Sequence, residues 1–452
     1  MVGRTALSRR AAWLREHASA VPPRAILVVG FVVLVLYAFP GFMSTDSVIQ
    51  LHQARTGAYN NAHPPLMAFL WGLLDAIVAG PLLMLLAQVA LFLGGLYGVL
   101  RQVLAPRPAA ITAVAILWFP PIAAIMAVVW KDCQMAAYLM AGFALLLSPR
   151  RRLRLGGLAL ITAACAFRHN AFAASVPLVG LVFEWQPGAR WWKRYLIAGA
   201  AAVATFLAAT AINRALVVDE VHLTPAYTDI VGVLAFSEAR TDEDLRHVLR
   251  DTPLRVTEGI HATARRLYDP RNSFHLTRGD QRMFDDATTP LHRAALARAW
   301  KELIVGDPHA YLSHRVAVFQ ELVGLSERGL WSPAFFGFVE HHTQAAWIGH
   351  DATPSTLQLE IHARFLRLID ETALFEAWMY GVLAVVFLLA LARDRLSFTL
   401  LVSGLLYELS FFPTAGTPDC RYSHWMITCT VVAGVIIFVR RLERGRAART
   451  GP

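Results

Sequence analysis

Five stretches of this chain carry almost no charge over close to a membrane's width: Ile26–Met43, Leu82–Leu100, Ala109–Trp130, Tyr195–Asn213 and Leu396–Pro413. About 20 apolar residues are needed to cross a bilayer core as a helix. Within that core every backbone N–H and C=O must be satisfied by the segment itself, which leaves helices and closed barrels. The apolar runs are continuous rather than alternating, so the barrel is excluded. The pattern predicts an all-α polytopic membrane protein.

The basic excess of +10 does not point to nucleic acid. The arginines fall in short clusters between apolar runs, where they set orientation and meet anionic headgroups. Cys133, Cys165, Cys420 and Cys429 have no metal-ligand spacing, so neither a disulfide framework nor a zinc site is expected. No small-residue cleavage site follows the first apolar run, which therefore resembles an uncleaved anchor.

Loop charges give the threading. Arg4, Arg9, Arg10, Arg15 and Arg24 place the N-terminal tail in the cytoplasm, and the next loop, with only Arg55, outside. Asp46 and His63 then face away from the cytoplasm. The segment 65–79 contains Asp75; if it spanned, the cluster Arg150-Arg151-Arg152 and the basic C-terminal tail would lie outside, so it is expected to lie at the outer interface. About ten spans follow. Residues 1–214 form an N-terminal transmembrane module, 215–376 an extracytoplasmic and mainly helical cap, and 377–452 the last membrane helices with a basic tail.

This threading brings four polar clusters to one face: Asp46 with His63, Lys131-Asp132, Arg168-His169-Asn170, and Asp419 with Arg421. Some helices behind them are short, since thirteen residues cover only about 20 Å. Their charged tips are then expected to floor an outward cavity, which also accommodates Glu408 near a helix end. In the cap, eleven of the chain's sixteen histidines are scattered, with His341-His342 the one adjacent pair and no metal-binding spacing. Asp307-Pro308 reads as a helix start. Tyr311, Val316, Phe319, Leu322 and Val323 then form one apolar face.

Taken in order, Thr45-Asp46-Ser47, Gly57-Ala58-Tyr59, His63-Pro64-Pro65-Leu66, Trp130-Lys131-Asp132, Arg168-His169-Asn170, Asp307-Pro308 and Asp419-Cys420-Arg421-Tyr422 resemble the GT-C superfamily of membrane glycosyltransferases. The likeness is to bacterial relatives of protein O-mannosyltransferases and aminoarabinose transferases. It implies transfer of a sugar from a polyprenyl-phosphate carrier to an extracytoplasmic acceptor at the bacterial plasma membrane. It also implies that Asp46 is the general base or acceptor-positioning group, with His63 of the same loop as a further catalytic candidate and Tyr59 as a substrate contact. The superfamily's second acid has no match near Asp46, and Asp132 is the candidate. No cofactor is called for; a divalent cation is left open.

The chemistry makes independent sense of these residue types. Glycosyl transfer from a lipid phosphate needs a carboxylate for the acceptor hydroxyl and cations for the leaving phosphate. Lys131, Arg168 and Arg421 suit the second role, with Asn170 and Glu408 as further substrate contacts. Plainer readings stand beside these. Asp46 can cap a helix, and Lys131 with Asp132 can be a snorkelling pair. Arg168 can pair with Glu408 or Asp132, and Arg421 can anchor to headgroups. Trp130, Trp185, Trp191, Trp192 and Trp425 fit an interfacial belt. The alternative function is a transporter or flippase, though the chain shows no internal repeat of the kind transporters often carry.

Overall fold

A computed structural model of the chain describes residues 21–186, 188–219, 225–256, 259–326, 332–338 and 354–449. Regular structure among these residues is helical, with only isolated β-bridges besides. The first half contains α1 (Pro23–Ala38), α2 (Thr45–Thr56), α3 (Leu66–Asp75), α4 (Leu82–Leu100), α5 (Pro106–Leu117), α6 (Pro120–Met126), α7 (Lys131–Leu146), α8 (Arg151–Phe167), α9 (Ala171–Val182) and α10 (Trp191–Leu216). A cap follows, with α11 (Pro225–Phe236), α12 (Asp242–Val248), α13 (Ile260–Leu267), α14 (Pro290–Gly306), α15 (Pro308–Val323) and α16 (Thr356–Glu371). The chain closes with α17 (Ala377–Val386), α18 (Arg395–Leu409) and α19 (His424–Arg449).

Three described helices are long and apolar enough to cross a membrane: Leu82–Leu100, Trp191–Leu216 and Cys420–Arg446. The paired helices α5 and α6 make a fourth candidate if counted as one span. Shorter apolar helices, among them α1, α3, α9 and 377–391, fall below that length. Ten residues of α3 rise only about 15 Å, half of a bilayer core.

The run Ala109–Trp130, expected as a single span, is broken. α5 and α6 meet at a 72° bend. Pro120 and Pro121 supply the cause: neither has an N–H to continue the helix, and Phe119 before them is extended at ψ 123°. After α6 the backbone stays irregular to Trp130. Its carbonyls need partners in an apolar core, and Gln88 of α4 supplies them, donating to Met126 O at 2.8 Å and Val128 O at 3.0 Å. Gln134 fixes that amide by donating to Gln88 Oε1 at 2.9 Å.

Two further expectations change. Trp130 and Trp425 are buried, unlike the exposed Trp185, Trp191 and Trp192, so neither belongs to an interfacial belt. Trp425 packs inside and donates its indole N–H to Ser403 Oγ. On α15, Pro308 does open the helix, with Asp307 capping it through Ala310 N at 3.0 Å. Val316 is exposed, however, and the buried face runs through Ala310, His314, Arg315, Val318, Leu322 and Val323. A charge placed at the centre of a buried face cannot be found from apolar periodicity. His341 and His342 lie outside the described residues.

The cap has a core of its own, built on Tyr227, Ile230, Val231, Leu245, Phe284 and Leu296. It is distinct from the larger core, which draws on the remaining helices together with Val318, Leu322 and Val323 of α15 and Phe365 of α16. In that larger core, small residues let helices approach closely. A Cβ at Gly95 would sit 2.5 Å from Ala141 N of α7, against backbone that cannot swing away, whereas Gly94 next to it meets nothing within 4 Å. Gly95→Ala should therefore cost about 1–3 kcal/mol by overpacking, and Gly94→Ala should be neutral or slightly stabilising. Thermal midpoints of the two purified variants test this; equal midpoints would contradict the crossing.

Candidate functional site

The site begins with two pieces of extended backbone. Phe42, just past α1, pairs with Val128 in the irregular stretch before α7. Phe42 N donates to Ala127 O at 3.2 Å and Val129 N to Phe42 O at 2.9 Å. Side chains tighten the join: Ser47 Oγ donates to Val129 O at 2.8 Å and Trp130 Nε1 to Ser44 Oγ at 2.6 Å. The first turns of α2 and α7 are thereby held side by side, which brings Asp46 next to Lys131. α2 is itself tied to α3 by the two-pronged pair of Arg55 with Asp75 at 2.8 and 2.9 Å.

The last contributor is the turn before α19. Asp419 caps the short turn Cys420–Ser423 by accepting from Arg421 N at 3.1 Å and pairs with Arg421 Nε at 3.0 Å. The far end of that guanidinium donates to Asp46 Oδ2 at 2.6 Å. Trp130 lies against it, with the guanidinium carbon 4.8 Å from the ring centroid, a favourable cation–π geometry. Below, Arg168 pairs with Asp132 at 2.6 Å and stacks over Tyr422 at 4.2 Å. Asp132 also lies 3.8 Å from Arg421. Of the two partners open to Arg168 in the sequence, Asp132 is the one it meets.

Lys131 and His63 complete the group. The Lys131 ammonium, which can only donate, approaches His63 Nδ1 at 2.8 Å. The His63 proton is thus assigned to Nε2, the atom 3.8 Å from Asp46 Oδ1. Lys131 is also 3.8 Å from Asp46 Oδ2. Three carboxylates, three cations and a histidine therefore form one charge network drawn from five separate elements.

Exposure is graded across it. Asp46 is 26% exposed and His63 16%, Lys131 and Arg421 stand at 11% and 10%, and Arg168 and Asp132 fall to 7% and 1%. Asp46, His63, Lys131 and Arg421 form the accessible upper layer, with the Arg168–Asp132 pair as its floor. Burial by itself would push the Asp46 carboxyl up, but Arg421, Lys131 and His63 together hold it well below the usual carboxylate range. Burial and the Lys131 ammonium push His63 down to about 4, against the opposing pull of Asp46. His63 is therefore neutral at pH 7.

The other sequence candidates lie around this network. Asn170 donates to Ser410 Oγ at 2.8 Å and Thr414 Oγ1 at 3.0 Å, bracing the segment that leads to Asp419. Glu408 is buried and accepts from Ser423 Oγ at 2.7 Å. Tyr59 is half-buried and joins the chain near Asp219 through its carbonyl, which accepts from Val218 N at 2.9 Å. Among the described residues no three His, Cys, Asp or Glu side chains could hold a metal ion. Asp46, Asp132 and Asp419 already face cations, so the donor set does not fit a divalent ion.

The sequence did not single out Trp130 and Tyr422 as guanidinium platforms, nor the buried cluster of the cap. There Asp229 pairs with Arg315 and lies 3.3 Å from His314 Nε2. It also accepts from Trp300 Nε1 at 2.7 Å. Arg315 in turn donates to Ala415 O at 2.6 Å, in the loop that carries Asp419. Comparison of the chain with protein-family models, curated proteins and solved structures finds no match.

The His63 environment has a pH signature. Its folded value, about 4, is below the ordinary histidine value of 6.5, so the unfolded chain binds more protons between the two. The stabilisation from neutral burial is full above about pH 6.5 and is lost as pH falls through the folded value, an effect of roughly 3 kcal/mol at most. Between pH 7 and 4 the thermal midpoint of wild type should fall more steeply than that of His63→Gln. Parallel curves would mean that His63 is not held neutral by Lys131 and burial.

Proposed function

We propose that this protein is a membrane glycosyltransferase of the GT-C type, moving a sugar from a polyprenyl-phosphate carrier to an acceptor outside the cytoplasm. On this reading the short apolar helices complete about ten spans in a bacterial plasma membrane, α3 lies at the outer interface, and the charge network faces outward under the cap. The observation that carries the proposal is the meeting of Asp46 with Arg421 and Lys131 in one partly enclosed layer. A carboxylate able to address a hydroxyl stands beside fixed cations able to neutralise a phosphate.

Each group takes a role that its position suits. Arg421, with its planar fork already held by Asp419, binds the carrier phosphate, and Lys131 adds a second charge. Asp132, almost fully buried, acts as a positioning residue, and Arg168, nearly as exposed as Arg421, is a further cation for the phosphate. The acceptor oxygen attacks the anomeric carbon, the bond from that carbon to the phosphate oxygen breaks, and polyprenyl phosphate leaves as an anion paired with Arg421. Asp46 receives the hydroxyl proton.

In the resting site Asp46 is a weak base, because Arg421 stabilises its ionised form. Donor binding relieves this: when the phosphate takes over Arg421, Asp46 loses its closest counter-ion and gains basicity as the acceptor arrives. The site is thereby kept from acting as a base until donor is present.

Asp46→Asn should lower turnover about 10²–10⁴-fold, the range expected for a lost acid–base group. Donor affinity should hold or tighten, since Arg421 is released for the phosphate. Arg421→Gln should instead weaken polyprenyl-phosphate binding about tenfold or more, at roughly 1.5–3 kcal/mol per lost charged hydrogen bond. Reconstituted protein with labelled polyprenyl-phosphate sugars measures both. Vectorial movement of the lipid without glycosyl transfer would replace the enzyme with a flippase.

A further inference from the structure

The helix that carries Asp46 presents two more polar side chains on the same face. Gln50 and Gln53 follow at i+4 and i+7, so all three lie within one narrow stripe of α2, about 6 and 10.5 Å along its axis. The Cα–Cβ bonds of a helix lean toward its N-terminus, the end of α2 that carries Asp46. Val48 and Leu51, on another face of the helix, join the main apolar core.

Gln50 and Gln53 are 1% and 3% exposed. All four of their amide nitrogen and oxygen atoms nevertheless lack a hydrogen-bond partner among the described residues. Buried amides are normally paired, because an unmade hydrogen bond in such a place carries the full desolvation cost of the group. Two neighbouring side chains with both donors and acceptors idle, in register with the reactive carboxylate, are therefore unexplained by folding alone. Elsewhere in this protein a buried glutamine has an evident role, as where Gln88 satisfies the broken backbone after α6.

We propose that Gln50 and Gln53 form the subsite for the sugar ring of the donor, each amide donating to one ring hydroxyl and accepting from another. The inference rests on the glycosyl-transfer reading above. The division of charge supports it: cations gather on Lys131 and Arg421 for a phosphate, while this stripe offers only neutral groups that both donate and accept. That complement fits a neutral polyol rather than an anion or a lipid tail. A site built on buried amides would also discriminate, since a ligand lacking the hydroxyl leaves them unpaired.

The test separates the sugar from the phosphate. Calorimetry in detergent measures bare polyprenyl phosphate and its mannosyl, glucosyl and arabinosyl derivatives against wild type, Gln50→Met, Gln53→Met and the double variant. Methionine keeps the length of the side chain and removes only atoms without partners, so the thermal midpoint should hold or rise. In wild type at least one glycosylated carrier should bind more tightly than the bare one, by about tenfold or more, as the added hydrogen bonds allow. The double variant should reduce that advantage to within about twofold, each single variant should lose part of it, and bare-carrier affinity should stay the same. An advantage unchanged in the double variant, or no advantage in wild type, overturns the sugar subsite and leaves phosphate recognition standing. A midpoint that drops, with the advantage retained, assigns the amides to structural water and also overturns it. Failure of wild type to bind even the bare carrier removes the glycosyl-transfer reading itself, and the subsite with it.

Discussion

The contact between Arg421 and Asp46 joins positions 375 residues apart and ties the start of α2 to the turn before the last helix. It is worth more as a constraint than as a stabilising bond. A buried ion pair returns little net energy beside an apolar pair of the same volume, and breaking one is costly chiefly where the remaining charge is left without another partner. In this protein the constraint extends over a network. Asp46, Asp132 and Asp419 all lie within ion-pair distance of Arg421, and Asp132 also holds Arg168. No member can leave without exposing another charge to a poorly solvated setting, so the elements that carry them are specified together.

Such a network needs a backbone that delivers its charges to one place. Continuous helices would not do it, since they would spread Asp46 and Lys131 along separate axes. The break at Pro120-Pro121 and the short pairing of Phe42 with Val128 convert what the hydropathy predicts as one span into a bent support. Irregular backbone is tolerated in such an apolar setting only when its polar groups are satisfied by protein. Gln88 and Gln134 satisfy them, and are as much a part of the site's architecture as the charges above them.

Much of the helical layout was legible because it depends on local rules. Leu82–Leu100 begins and ends where the apolar run does, and Pro308 opens its helix with Asp307 as cap. That Asp46, His63, Lys131, Asp132, Arg168 and Arg421 lie together was legible as well, because ionisable groups beside long apolar runs are costly and therefore conspicuous. The pairings were not. Nothing local distinguishes Asp132 from Glu408 as the partner of Arg168, and the choice is made by tertiary packing. Trp130 looked like a belt residue because tryptophan at the end of an apolar run usually is one; here it lies under Arg421. Arg315 was hidden for the opposite reason, since a charge on a buried helix face breaks the very pattern by which that face is recognised.

Arg315 also shows how the cap acts on the site without contributing a charge to it. The loop from Ser410 to Asp419 is gripped from several sides. Asn170 holds Ser410 and Thr414, Arg315 holds the Ala415 carbonyl, and the hydroxyls of Ser273 and Thr417 meet at 2.6 Å. Phe319 packs edge-on against Phe412. On the proposed reading, a guanidinium on a free loop would reorganise when a phosphate arrived, and that rearrangement would consume the electrostatic gain. Donors fixed in advance avoid this cost, which is why preorganised charge is so effective in enclosed sites. The buried Asp229–Arg315 pair thus does for the loop what the Phe42–Val128 pairing does for α2: each uses partners far away in sequence to fix the geometry of one side of the Asp46–Arg421 contact.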